Sequence, residues 1–71
     1  MNRRELRQNA VSSIRAQARH LNVETLDTES ALRIWDGLAA TSANWFAAYY
    51  VTLSDAAAKR IATEAARTYT R

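Results

Sequence analysis

The residues of this chain that could carry out covalent or acid–base chemistry are few. His20 is the single histidine, and there is no cysteine, which excludes thiol chemistry, disulfides and cysteine-ligated zinc. A Ser-His-Asp triad built around His20 would need an oxyanion hole, but Gly37 is the one glycine in the sequence. Neither a Gly-rich phosphate loop nor a paired-carboxylate motif is present. The sequence therefore predicts a protein that is not an enzyme and uses no metal or cofactor. His20 lies in the last turn of the first predicted helix, where the helix dipole favours a cation, so a capping role is expected.

Arginine and polar side chains that could bind anions recur along the first predicted helix. They fall on the side opposite Leu6 and Ile14 and comprise Arg4, Gln8, Arg15 and Arg19. Such a row of cations is typical of a surface that contacts nucleic acid or an acidic partner. It is equally typical of a solvated face in a small basic protein. The interpretations differ in whether the stripe continues onto the last helix, at Arg60 and Arg67, where Arg60 and Glu64 are spaced to form an ion pair.

Charge is divided unevenly along the chain. Residues 1–22 hold five arginines and one acidic residue, giving +4, whereas residues 23–53 hold one arginine and four acidic residues, giving −3. Residues 54–71 hold four basic and two acidic residues, giving +2, and the three segments together account for the net charge of +3. Both ends of the sequence are therefore basic, and its middle is acidic.

The composition predicts an all-α domain. Proline is absent, glycine occurs once and about a fifth of the chain is alanine, the residue with the highest helix propensity. Asn22 can close a first helix, Asp27 or Thr28 can cap a second, and Ser54 can cap a third. Apolar residues recur at spacings of three and four along three helices. Their predicted bounds are about residues 3–21, 29–53 and 55–70. In the first helix this apolar, core-facing stripe comprises Leu6, Ala10, Ile14, Ala18 and Leu21.

The second predicted helix is the most informative element. Its apolar pattern runs through Gly37 and the Thr41–Ser42 pair, where a kink or break is the alternative to one continuous helix. Aromatic and aliphatic residues cover about half of its circumference. They could be the core of a three-helix bundle, but two slender helices can hardly cover them, so we expect a homodimer or a protein partner. The predicted interface residues are Trp35, Trp45, Phe46, Tyr49 and Tyr50.

We expect one domain, spanning residues 1–71, because a chain of this length can bury a single small core. Residues 37–54 are uncharged, but five polar residues interrupt them and Asp36 and Asp55 flank them, so no membrane span is expected. The basic first residues are followed by polar ones rather than a signal-peptide apolar run, so a cytoplasmic location is expected. The leading hypothesis is a small non-enzymatic interaction protein, an inhibitor or adaptor that forms a homodimer and binds another protein. The alternative is a small basic nucleic-acid-binding regulator.

Overall fold

The computed structural model describes residues 2–41 and 51–71. These residues form three helices that pack against one another, and they contain no strand. The all-α class and the three-helix organisation are therefore confirmed. The helices are α1 (Arg3–His20), α2 (Thr28–Thr41) and α3 (Asp55–Thr68).

Helix α1 begins and ends at capping residues that satisfy its unpaired backbone groups. At its start, the Asn2 side chain accepts a hydrogen bond of 2.9 Å from the Glu5 amide. At its end, Asn22 has the left-handed conformation, with φ of 59°, and the Val23 amide donates to the Ala18 carbonyl at 3.0 Å. This 6→1 bond is the Schellman arrangement, so the predicted helix closure at Asn22 is confirmed.

Helix α2 begins after Asp27, whose carboxylate accepts a 2.7 Å hydrogen bond from the Ser30 amide. That bond is the main reason that the pKa of Asp27 lies below its ordinary value of 3.8. The helix passes through Gly37 without a break. The predicted end at residue 53 is wrong, because residues 52–54 are not helical, and the predicted continuity across residues 42–50 lies outside the described residues.

Helix α3 begins at the predicted cap, where the Ser54 hydroxyl accepts a 3.2 Å hydrogen bond from the Ala57 amide. Its contacts with α1 rise together in residue number, from Arg7 and Glu64 to Arg15 and Thr68. Helices α1 and α3 therefore run in the same direction. Helix α2 runs in the opposite direction to α3, because Thr28 at its start contacts Thr63, whereas Trp35, further along α2, lines a recess with Ala58, nearer the start of α3.

The buried core lies where the three helices meet. Trp35 and Ile14 are its largest fully buried side chains. Leu21 was predicted on the buried stripe of the first helix, but it is 54% exposed, because the helix has ended at His20 and the backbone turns there. The other buried residues are Ala10, Val11, Ala18, Leu26, Ala31, Ile61, Ala62, Ala65 and Tyr69.

No described helix combines the length and apolar character needed to cross a membrane. No cluster of three or more potential metal-ligating side chains was found in residues 2–41 and 51–71.

Candidate functional site

The four polar residues of the predicted anion-contact stripe lie in three different settings. Arg4 is exposed in the first turns of α1. Gln8 and Arg15 line a recess between α1 and α3, together with Arg67. Arg19 reaches past the end of α3, where its Nε donates a 2.9 Å hydrogen bond to the Thr70 carbonyl. The stripe is thus continuous with α3 at its middle.

A groove runs between α1 and α3, and most of its charged side chains are cations. It consists of a recess of about 390 Å³ between the two helices and a more open one of about 480 Å³ along α3, to which α1 contributes Arg7; the two share Glu64 and Arg67. We call it the basic groove. Its polar residues are Arg7, Gln8, Ser12 and Arg15 from α1, and Lys59, Arg60, Thr63, Glu64, Arg67 and Thr68 from α3.

Arg15 is the most firmly held cation in the basic groove. Its guanidinium donates to the Thr68 hydroxyl at 3.1 Å and to the Ser12 hydroxyl at 3.4 Å. The Thr68 hydroxyl in turn donates to the Glu64 carbonyl at 2.7 Å, which fixes the direction of its lone pairs. Arg15 is half-buried, so its orientation is set by side chains from both helices.

A second set of contacts fastens the residues after α3 to the end of α1. The Tyr69 hydroxyl donates to the Val23 carbonyl, and the Arg19 guanidinium lies 5.9 Å from the centre of the Tyr69 ring. Together with the bond from Arg19 to Thr70, these contacts form what we call the C-terminal clasp. Arg19 is therefore engaged within the protein itself.

The carboxylate of the basic groove is paired across the two helices. An oxygen of Glu64 lies 3.6 Å from a guanidinium nitrogen of Arg7. The sequence spacing had predicted a pair within α3, between Arg60 and Glu64. Within the described part of the chain, the ion pair that Glu64 forms joins it to Arg7 instead.

The predicted aromatic interface is only partly within the described residues. Trp35 is fully buried in the core of the chain, so its placement at a surface for a partner is corrected: its side chain packs inside the three-helix bundle. The other four predicted residues lie outside the described part of the chain; they are Trp45, Phe46, Tyr49 and Tyr50.

A second groove, between the end of α1 and α2, is mainly apolar. It has a volume of about 390 Å³, and its apolar residues are Leu21, Ile34, Gly37 and Leu38, with Gln17 and Arg33 beside them. We call it the apolar groove. Val51, outside this groove, is 77% exposed. Sequence reasoning missed the apolar groove because it assigned Leu21 to the core.

Comparison with protein-family models, with curated proteins and with solved structures finds no match to this chain.

Proposed function

We propose that this chain is a small non-enzymatic interaction protein whose basic groove binds the phosphate backbone of a nucleic acid. One observation carries the proposal: cations from two helices that are far apart in sequence lie along one continuous groove. They are Arg7 and Arg15 from α1, with Lys59, Arg60 and Arg67 from α3. Against these five cations stands a single carboxylate, Glu64, so the groove carries a net charge of +4.

The other polar residues of the groove suit the same ligand. Phosphate oxygens in protein–nucleic acid complexes are contacted by arginine and lysine and by serine, threonine and glutamine side chains. Gln8 and Ser12 supply these neutral donors beside the cations, whereas the Thr68 hydroxyl already donates to the Glu64 carbonyl. The residues that dominate protein–protein binding energy are instead tryptophan, tyrosine and arginine in desolvated pockets, and no described tryptophan or tyrosine lines the basic groove.

The distribution of charge over the chain also favours a polyanionic ligand on the side of α1 and α3. Residues 23–53, which include α2, carry −3. Because α1 and α3 carry most of the positive charge, the electric field attracts a polyanion to their side of the molecule. Contacts to the backbone alone do not distinguish sequences, so we expect binding with little sequence preference and a strong dependence on salt.

The test is the fluorescence anisotropy of a short labelled DNA duplex and of an RNA of matched length, measured across a range of salt concentrations. Arg60→Gln should weaken binding by roughly 5- to 10-fold near 0.1 M salt and reduce the salt slope by about one. Arg33→Gln is the matched control, because it removes the same charge from α2 rather than from the basic groove. It should leave the affinity close to that of the wild type.

Two results would contradict the proposal. One is that the wild-type protein binds neither DNA nor RNA at low salt. The other is that Arg33→Gln weakens binding as much as Arg60→Gln, since the effect would then come from net charge and not from the groove.

As a second candidate function, we propose that the chain binds another protein and forms a homodimer through the segment that holds Trp45, Phe46, Tyr49 and Tyr50. The supporting observation is the exposure of two large apolar side chains, Leu21 at 54% and Val51 at 77%. Val51 follows this aromatic segment directly in the sequence. Exposed apolar groups of this kind favour association when they form one patch.

Sedimentation equilibrium at micromolar concentration tests the homodimer. Because Leu21 and Val51 are exposed in the chain itself, Leu21→Asp and Val51→Asp should leave the helices folded but shift the protein toward monomer. Thr25→Asp adds the same charge at an exposed residue of the α1–α2 connection and should not shift the equilibrium. A compact wild-type monomer whose melting temperature is independent of concentration would rule this candidate out.

A further inference from the structure

We propose that the end of the basic groove around Arg15 is a subsite for a single phosphate group. This inference rests on the proposed function, and it names the place where one backbone phosphate is held. The subsite is bounded by Gln8, Ser12 and Arg15 on α1 and by Arg67 and Thr68 on α3. The same chemistry would accept inorganic phosphate as a free ion.

The first argument is that Arg15 is oriented before any ligand arrives. Its guanidinium is held by the Thr68 hydroxyl at 3.1 Å and the Ser12 hydroxyl at 3.4 Å. Most of the entropy of ordering a long side chain has therefore been lost on folding and is not lost again on binding. A planar guanidinium fixed in this way can present paired donors to a tetrahedral anion, which a lysine cannot do.

The second argument is the difference between the two ends of the basic groove. At the other end, Lys59 and Arg60 are exposed, and no contact among the described residues fixes either head group. Those two side chains contribute charge, whereas Arg15 contributes charge and geometry. A discrete phosphate site requires both, because long-range attraction alone does not hold an anion in one place.

The third argument concerns what surrounds Arg15. Arg67 is exposed and lines the same recess of about 390 Å³, and Gln8 adds an amide donor from α1. Glu64 also lines the recess, but its carboxylate is drawn toward Arg7, at 3.6 Å. The ion pair with Arg7 therefore offsets part of the repulsion that Glu64 would exert on a phosphate at Arg15.

The experiment is an NMR titration of the full chain with inorganic phosphate at constant ionic strength, following the backbone amides of α1 and α3. Two variants test the subsite without changing the net charge of +3. Arg15→Lys keeps the cation but removes the planar donors, and Thr68→Val keeps the shape but removes the hydroxyl that orients Arg15. We expect phosphate affinity to fall by about 10-fold in the first variant and by several-fold in the second.

The matched controls are Arg33→Lys on α2 and Thr25→Val in the α1–α2 connection, which should bind phosphate as the wild type does. Helical content and amide dispersion of each variant establish that it is folded. If Thr68→Val loosens the fold, Thr68→Ser restores the hydroxyl and should restore binding. Equal affinity of Arg15→Lys and Arg33→Lys for phosphate would overturn the subsite.

The duplex measurement described above separates this inference from the proposed function. If the duplex binds and both subsite variants bind phosphate and duplex like the wild type, the subsite is wrong and the function stands. If no nucleic acid binds but phosphate binding depends on Arg15 and Thr68, the function is wrong and the subsite stands, with a free phosphorylated ion as its ligand.

Discussion

The basic groove and the apolar groove both lie beside α1, but they are built from opposite kinds of contact. On the α3 side, charged and hydroxyl side chains join the helices, as in the bonds from Arg15 to Thr68 and from Arg7 to Glu64. On the α2 side, Leu21, Ile34 and Leu38 line the groove. One groove thus offers charge and hydrogen-bond donors to a ligand, and the other offers apolar surface.

Because of this difference, the residues proposed to bind a ligand are not the residues that contribute most to the stability of the fold. Exposed ion pairs contribute little to the free energy of unfolding, so the side chains of the basic groove can be selected for binding. Burial of apolar area contributes most of the stability. Mutations on the α2 side should therefore change the melting temperature, and mutations in the basic groove should change binding. The predictions that follow test this separation, from the largest expected effect to the smallest.

Trp35→Ala should have the largest effect. Trp35 lies on α2 and is fully buried, and replacing a buried tryptophan by alanine costs about 3–5 kcal/mol of the free energy of unfolding. Chemical denaturation followed by circular dichroism measures the loss. In a domain of this size the variant should be largely unfolded at room temperature. Stability close to the wild-type value would mean that the α2 side does not carry the core.

Tyr69→Phe should have the next largest effect, and it tests the polar contacts beside the basic groove. The Tyr69 hydroxyl donates to the Val23 carbonyl, and the side chain is only 9% exposed. Removing the hydroxyl should lower the free energy of unfolding by about 1–2 kcal/mol, because the partly buried Val23 carbonyl loses its hydrogen-bond donor. Equilibrium unfolding in urea gives the value. An unchanged midpoint would mean that water replaces the hydroxyl at no cost.

Gly37→Ala should stabilise the chain by about 0.5–1 kcal/mol, as expected for a glycine inside a helix. A Cβ at this position would meet no atom within 4 Å, and Gly37 does not have positive φ. The added methyl group also enters the apolar groove, so sedimentation would report weaker self-association if the homodimer uses that surface. Lower thermal stability of the variant would show that α2 needs glycine here.

Glu64→Gln should have the smallest effect on stability and a clear effect on binding. Its ion pair with Arg7 joins side chains that are 35% and 48% exposed, so the free energy of unfolding should change by less than about 0.5 kcal/mol. The net charge of the basic groove would rise from +4 to +5, and duplex affinity should rise several-fold. Glu29→Gln on α2 is the control for net charge. Equal gains in the two variants would contradict a role for the groove.

Local elements of this fold could be predicted from the sequence because their causes are local. The spacing of apolar residues in α1, the left-handed Asn22 and the Ser54 cap each depend on residues a few positions apart. The partner of Glu64 could not be predicted, because helical spacing identifies neighbours within one helix and Arg7 belongs to another. The spacing of aromatic residues is equally uninformative about contacts between elements. It does not distinguish a tryptophan buried by its own chain, as Trp35 is, from one exposed for contact with a partner.

The contacts that fasten α3 to α1 join residues far apart in the sequence. The bonds of Tyr69 to Val23, Arg19 to Thr70 and Arg15 to Thr68 span 46, 51 and 53 positions. Closing such long loops costs entropy before any contact is gained, so we expect these pairs to form after α1 and α2 have joined. The basic groove then exists only in the fully folded chain. An anion bound there stabilises the native state alone, by about 2.7 kcal/mol at a concentration 100 times its Kd.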